Sequence, residues 1–188
     1  TVSSGSATLN GATTKADTFT IATGSTLNLG HATGALTGAM VLAGTGVVNL
    51  GANTSTLSST FTSGAGASTI QTTLISASTT GKLTTGAATI AATTKVHVTV
   101  PTTVGVADGQ RFLVVDGTGG TGVVATLTSG NVTTNSAVLT FVGENGNDAA
   151  SLFAITAGST DLYVRATRLA SGFVGAGNIA STSTGYGA

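Results

Sequence analysis

Ionisable side chains are scarce enough in this chain to be named in full. The acids are Asp17, Asp108, Asp116, Glu144, Asp148 and Asp161. The bases are Lys15, Lys82, Lys95, Arg111, Arg165 and Arg168, and the imidazoles are His31 and His97. Acid–base chemistry needs such groups placed against one another. Cleavage of a glycosidic bond needs two carboxylates facing one cleft. Asp108 and Asp116 could supply that pair from the ends of neighbouring strands. A cleft holding both with Arg111 would mark a polysaccharide lyase or hydrolase. Each of these aspartates precedes a glycine, and Asp-Gly is favoured in turns for backbone reasons alone. Both are therefore expected in turns.

The other chemical patterns are weaker. His97 falls in the alternation Val96–Val100, on the face opposite the valines, and His31 follows an expected corner at Gly30. Both are expected as exposed polar residues. No G-x-S-x-G elbow offers a serine nucleophile, and two histidines without nearby carboxylates make a poor transition-metal site. Gly117-Thr118-Gly119-Gly120-Thr121-Gly122 matches G-x-G-x-x-G after a strand. A dinucleotide site needs a helix next, whereas Val123–Leu127 reads as another strand, so the run is expected to be a turn. Gly143–Asp148 partly echoes a calcium-binding nonapeptide. Such sites need tandem copies; this one stands alone, with Glu144 where a glycine belongs. A weak Ca²⁺ site at Glu144–Asp148 is one reading, and a polar turn is the expected one. Asn53-Thr54-Ser55 and Asn131-Val132-Thr133 fit the N-glycosylation pattern, as chance alone would produce in so Thr-rich a chain. No catalytic, cofactor-binding or metal-ligating residue is assigned, no cofactor is expected, and the chain is expected not to be an enzyme.

Composition points to the elements rather than to a site. Of 188 residues, 40 are threonine and 28 glycine; charged residues make up 6% and aromatics 4%. A soluble protein carries roughly 25% charged residues. Six scattered bases against six acids leave no stripe to neutralise a phosphate backbone, so nucleic-acid binding is not expected. Mean hydropathy is +0.42. It reflects missing charge, because apolar runs such as Ala39–Ala43 fall far short of the roughly 18 residues of a spanning helix. The absence of cysteine removes disulfides and thiolate metal sites. The chain opens Thr1-Val2-Ser3-Ser4, without methionine or a signal sequence. It reads as a processed product or fragment, and its charge-poor surface suggests export.

Gly and Thr disfavour helix interiors, and short alternations such as Thr18–Ile21 and Thr26–Leu29 favour strands. Repetition is visible at a spacing near 20. Ala22–Gly30 reads ATGSTLNLG and Ala43–Gly51 reads AGTGVVNLG. Extending that frame places Leu9, Leu29, Leu50, Ile70 and Ile90 in one apolar column. A second runs Ile21, Val41 and Phe61, then breaks at Gly81 with Leu83 nearby. The expected fold is all-β, a right-handed parallel β-solenoid with coils of about 20 residues, whose aligned inward side chains form a continuous core.

Composition shifts near Lys95–Pro101. No Asp, Glu, Lys or Arg occurs from Thr18 to Gly81, and eight of the twelve charged residues follow Lys95. Residues 1–95 are expected to be thin regular coils, and 96–170 wider coils or a β-rich cap. Residues 171–188 are expected to be a Gly/Ser/Thr-rich tail, flexible or docking as a strand on another copy. Strands are expected at Gln110–Val115, Gly122–Leu127, Ala137–Val142, Leu152–Thr156 and Leu162–Thr167. The last two are expected to form a hairpin through Ala157–Asp161.

Thr26-Leu27-Asn28-Leu29-Gly30, Val47-Val48-Asn49-Leu50-Gly51, the run Val106–Gly117 and the strand Leu162–Thr167 together resemble bacterial autotransporter passenger domains and related surface β-helix proteins. The last segment looks like the closing strand of such passengers. The resemblance implies a secreted, elongated, right-handed β-helix used for display, adhesion or fibre building, and it carries over no catalytic residue. The chain departs from a whole autotransporter in lacking a membrane barrel and a visible export signal.

The expected function is therefore a non-enzymatic extracellular structural protein on a bacterial surface, a subunit or segment of a fibre. Thr1–Gly11 shows no charge, proline or amphipathic helix to cap a solenoid end, so self-association head to tail is the expected partnership. The alternative is an adhesin passenger fragment binding a host protein or glycan, with Phe173 and Tyr186 as candidate contacts. A polysaccharide-degrading enzyme is third.

Overall fold

The computed structural model of the protein describes residues 1–118, 122–128, 130–147 and 156–169. Every regular element among them is a β-strand. In chain order these are β1 (Ser6–Leu9), β2 (Thr13–Ile21), β3 (Thr26–Leu29), β4 (Thr33–Leu42), β5 (Val47–Gly51), β6 (Thr54–Ser63), β7 (Thr69–Thr73), β8 (Lys82–Ile90), β9 (Lys95–Thr99), β10 (Arg111–Gly117), β11 (Val132–Thr134), β12 (Leu139–Asn147) and β13 (Thr156–Arg168). No described helix is long and apolar enough to cross a membrane. The local cause is composition: Thr, Val and Ile are at ease in the pleated conformation, and Gly and Asn punctuate it.

Up to β9 the chain alternates between two sheets. β1, β3, β5, β7, β9 and β11 form a parallel six-stranded sheet, and β2, β4, β6, β8 and β10 run parallel in a second. Each odd strand thus lies beside the next odd strand, with an even one between them in sequence. In the first sheet Ser6 faces Thr26, Thr26 faces Val47, Val47 faces Thr69 and Thr69 faces Lys95. The spacing therefore grows along the chain from 20 residues to 26.

Alternation sends one face of each strand inward. Leu27, Val48, Ile70 and Val96 form one aligned inner row, all at most 2% exposed. In the second sheet Phe19, Met40, Phe61 and Ala88 align, as do Ile21, Leu42, Ser63 and Ile90. These rows correct the expected columns. Leu9 does face Leu29, but Ile70 faces Val48 rather than following Leu50, and Ile90 belongs to the other sheet. Ile21 faces Leu42, one residue beyond the expected Val41, which lies on the outer face between Thr20 and Thr62. Gly81 precedes β8, whose Leu83 faces Ser55. The physical reason is that spacing is not constant: bulges at Lys15/Thr18 and Asn49/Gly51, and the longer excursion between β7 and β8, shift the frame. A slip of one residue moves a side chain to the opposite face.

The stack closes differently at its far end. β13 runs antiparallel to both β10 and β12, so the seven-stranded sheet ends β8–β10–β13–β12. Phe112 and Phe141 meet edge to face beneath it, ring centroids 6.4 Å apart. The expected hairpin is corrected here. Ala157–Asp161 belong to a continuous strand, and the partners of β13 are β12 and β10. Residues 152–155 of the expected strand Leu152–Thr156 lie outside the described residues. Gly122–Leu127 is not a strand either; it touches the sheet through one bridge, Val124 to Ile90.

Candidate functional site at the carboxyl-terminal end

Polar chemistry concentrates where the antiparallel strands cover the stack. Arg111 on β10 and Arg165 on β13 are cross-strand neighbours, and Glu144 on β12 lies beside them. Arg165 Nε donates to Glu144 Oε1 at 2.5 Å, and Arg111 Nε donates to Glu144 Oε2 at 2.6 Å. Burial alone would raise the Glu144 pKa. The hydrogen bonds and charges of Arg165 and Arg111 outweigh it and hold the carboxyl below its ordinary value. The arrangement ties three strands together through one anion, and both carboxylate oxygens are engaged.

A second pair lies on the same sheet. Lys82 Nζ donates to Asp116 Oδ2 at 2.9 Å, with the Thr84 hydroxyl at 3.5 Å. Asp116 Oδ1 is buried with no hydrogen-bond partner among the described residues. Across the strand pair, fully buried Asp161 accepts the Gly117 N–H at 2.9 Å and the Tyr163 hydroxyl at 3.4 Å.

The residues singled out from sequence therefore go to different places. Asp108 does sit in a turn with Gly109, whose φ of +77° suits glycine. Its Oδ1 accepts the Arg168 backbone N–H at 2.9 Å. Asp116-Gly117 is not a turn; both residues are inside β10. Asp108, Asp116 and Arg111 each engage a different partner: the Arg168 backbone, Lys82 and Glu144. Gly143–Asn147 is strand rather than polar turn, with Glu144 held between two guanidinium groups, and Asp148 lies outside the described residues. No cluster of three metal-ligating side chains occurs among the described residues. Of the G-x-G-x-x-G run, residues 119–121 lie outside the described residues, and Val123–Leu127 beyond it forms no helix.

His31 and His97 are half-buried rather than fully exposed. His31 Nδ1 lies 3.0 Å from the Thr33 carbonyl and accepts the Thr33 N–H at 3.2 Å, closing the corner. His97 belongs to an outer polar ladder running Thr8, Asn28, Asn49, Gln71, His97 and Thr133. Asn49 Nδ2 donates to Asn28 Oδ1 at 3.0 Å, and His97 Nδ1 lies 3.0 Å from Thr133 Oγ1. Both glycosylation-pattern asparagines spend their amide nitrogens internally, Asn53 on the Leu29 carbonyl and Asn131 on the Ala92 carbonyl. Phe173 and Tyr186 lie outside the described residues.

One feature went unread in the sequence. A cleft of about 490 Å³ opens between the turn after β9 and the start of β12, lined by Val100, Pro101, Val104, Val106, Val138 and Arg168 among others. Asn135 fastens its rim, accepting the Val100 N–H at 2.7 Å and donating to the Val100 carbonyl at 3.3 Å. Arg168 Nη2 and Nε both donate to the Val106 carbonyl, at 2.8 and 3.2 Å. Val138 is 49% exposed on its wall. The only signal in sequence was Pro101, which ends β9. The wall itself is assembled from three distant segments.

The chain matches no protein-family model, and searches of curated proteins and of solved structures return no match.

Proposed function

We propose that the chain is a right-handed parallel β-solenoid with a β-rich terminal cap, and that it works as a non-enzymatic extracellular structural protein, a subunit or segment of a bacterial surface fibre that extends head to tail. The observation that carries this reading is the state of the β1 edge. β1 begins its sheet with no strand on its outer side among the described residues, whereas the outer side of β2 is met at its end by Val2, which bridges Ile21. At that end Val2, Ala7, Leu9 and Phe19 are only partly covered, although they pack against the core. An open edge such as that of β1 accepts a further parallel strand with full backbone pairing. Head-to-tail contact that does not close gives a filament. The remaining argument is mechanical. Aligned inner rows and an outer amide ladder repeat the same contact from layer to layer, so stiffness accumulates along one axis. Low charge removes the repulsion that would oppose end-to-end packing.

Negative-stain electron microscopy of the purified chain across concentration tests this reading. Filaments with a regular axial repeat, lengthening with concentration, are expected. Short rods of uniform length at every concentration would overturn self-assembly and leave the chain as an adhesin passenger fragment, to be matched to a host protein or glycan.

A further inference from the structure

We infer that the cleft between the β9 turn and β12 binds a small amphipathic carboxylate, an aliphatic chain ending in one carboxylate group. The cleft is lined by a single copy of the protein, so the assignment stands apart from assembly. The first observation is shape and lining. A volume of about 490 Å³ is that of a small-molecule site, and Val100, Pro101, Val104 and Val138 give it apolar walls. The second observation is charge. Arg168 is the one charged group among the described lining residues. Its Nε and Nη2 are anchored on the Val106 carbonyl, and Nη1 has no acceptor among the described residues. Arg111 and Arg165 both pair with Glu144, whereas the Arg168 guanidinium makes no ion pair among the described residues. The carboxylate of Asp108 accepts the Arg168 backbone N–H instead. The third observation is a pair of unspent donors. Val106 is 4% exposed, and neither its N–H nor that of Gly105, which also lines the cleft, meets an acceptor among the described residues. A buried N–H without a partner is rare in a folded protein. An anchored cation beside two such N–H groups suits an anion of carboxylate size, and the apolar walls suit its chain.

Titration of the isotope-labelled full chain tests this, with octanoate and octanol as probes and amide chemical shifts as the readout. Octanoate is expected to move the Gly105 and Val106 amides saturably, at about tenfold lower concentration than octanol. Arg168→Gln is expected to weaken octanoate binding about tenfold and to leave octanol binding unchanged. The absence of a saturable shift at these two amides overturns the proposal. Equal affinity for the two probes overturns it, as does undiminished octanoate binding in Arg168→Gln. Shifts centred on β1 also overturn it, because the probe would then be meeting the open apolar end instead. If Arg168→Gln loosens the fold by circular dichroism, Val138 decides, since it is 49% exposed on the cleft wall. Val138→Glu is expected to weaken octanoate binding about tenfold by like-charge repulsion, with Val138→Gln retaining it. Equal binding by those two variants overturns the assignment.

Discussion

Glu144 sits between two guanidinium groups that would otherwise repel each other across the β10–β13 pair. Its carboxyl is held below the ordinary value near 4.5, so its ionised form is stabilised by folding. That contribution is complete above the ordinary carboxylate value and is lost as pH falls through the lowered one. Glu144→Gln keeps the shape and removes the charge. It is expected to cost about 1–3 kcal/mol at neutral pH, since the arginines remain in a partly dry place. Thermal melts should show that gap between variant and wild type narrowing below pH 4.5. A gap independent of pH would show that the ion cluster contributes nothing through charge. Leu50, 1% exposed in the first sheet, gives the apolar counterpart. Leu50→Asp buries a carboxylate with no cation to meet it, several kcal/mol against a marginal total. The expected result is loss of the β signature in circular dichroism at 25 °C; a folded variant would refute its inward placement.

Among elements, β4 shows how an irregularity is accommodated. Opposite it, β2 bulges between Lys15 and Thr18, and Gly38 lies at the same level with φ +126°. A Cβ there would collide with the Ala16 carbonyl oxygen. Lys15 and Asp17 are both exposed on this bulged edge strand, a common protection of edge strands. Gly38→Ala is expected to lower the melting temperature by several degrees through strain and collision together, measurable by calorimetry. An unchanged melt would mean that the β2–β4 register relaxes freely. The same bulge explains why a constant even period misplaces Val41: it shortens the β2–β4 offset from 22 residues to 21, so Ile21 meets Leu42 and Val41 falls on the outer face.

At the level of the whole molecule, the two ends differ. The far end is covered by antiparallel strands, an aromatic pair and the Glu144 cluster, whereas β1 has no strand on its outer side among the described residues and β2 is met there by Val2 at Ile21. The carbonyls of Gly5 and Leu9 accept from Thr26 and Gly30, so by alternation the backbone groups of Ser6 and Thr8 turn outward. Proline is tolerated at such an edge position because the lost N–H faces away from the sheet. Thr8→Pro should therefore leave the monomer folded by circular dichroism and abolish filaments in electron micrographs. Filaments of normal length from this variant would exclude β1 as the growing edge.

The β class and the inward-outward alternation of Val96, His97 and Val98 were legible in the sequence, because both depend on local propensity and a period of two. So was the pairing of Leu9 with Leu29, where the spacing is still regular. What the tertiary structure decided was everything that depends on long-range register. It moved Ile70 to Val48 and Ile90 to the other sheet, made strand of Asp116-Gly117 and of Gly143–Asn147, and paired β13 with β12. Asp-Gly and Gly-rich runs favour turns only when no neighbouring strand competes for their backbone. Here β8 and β13 do compete, and full hydrogen bonding of the ladder outweighs the local preference. The Glu144 cluster and the cleft were beyond sequence for the same reason: each is assembled from segments brought together by strand pairing.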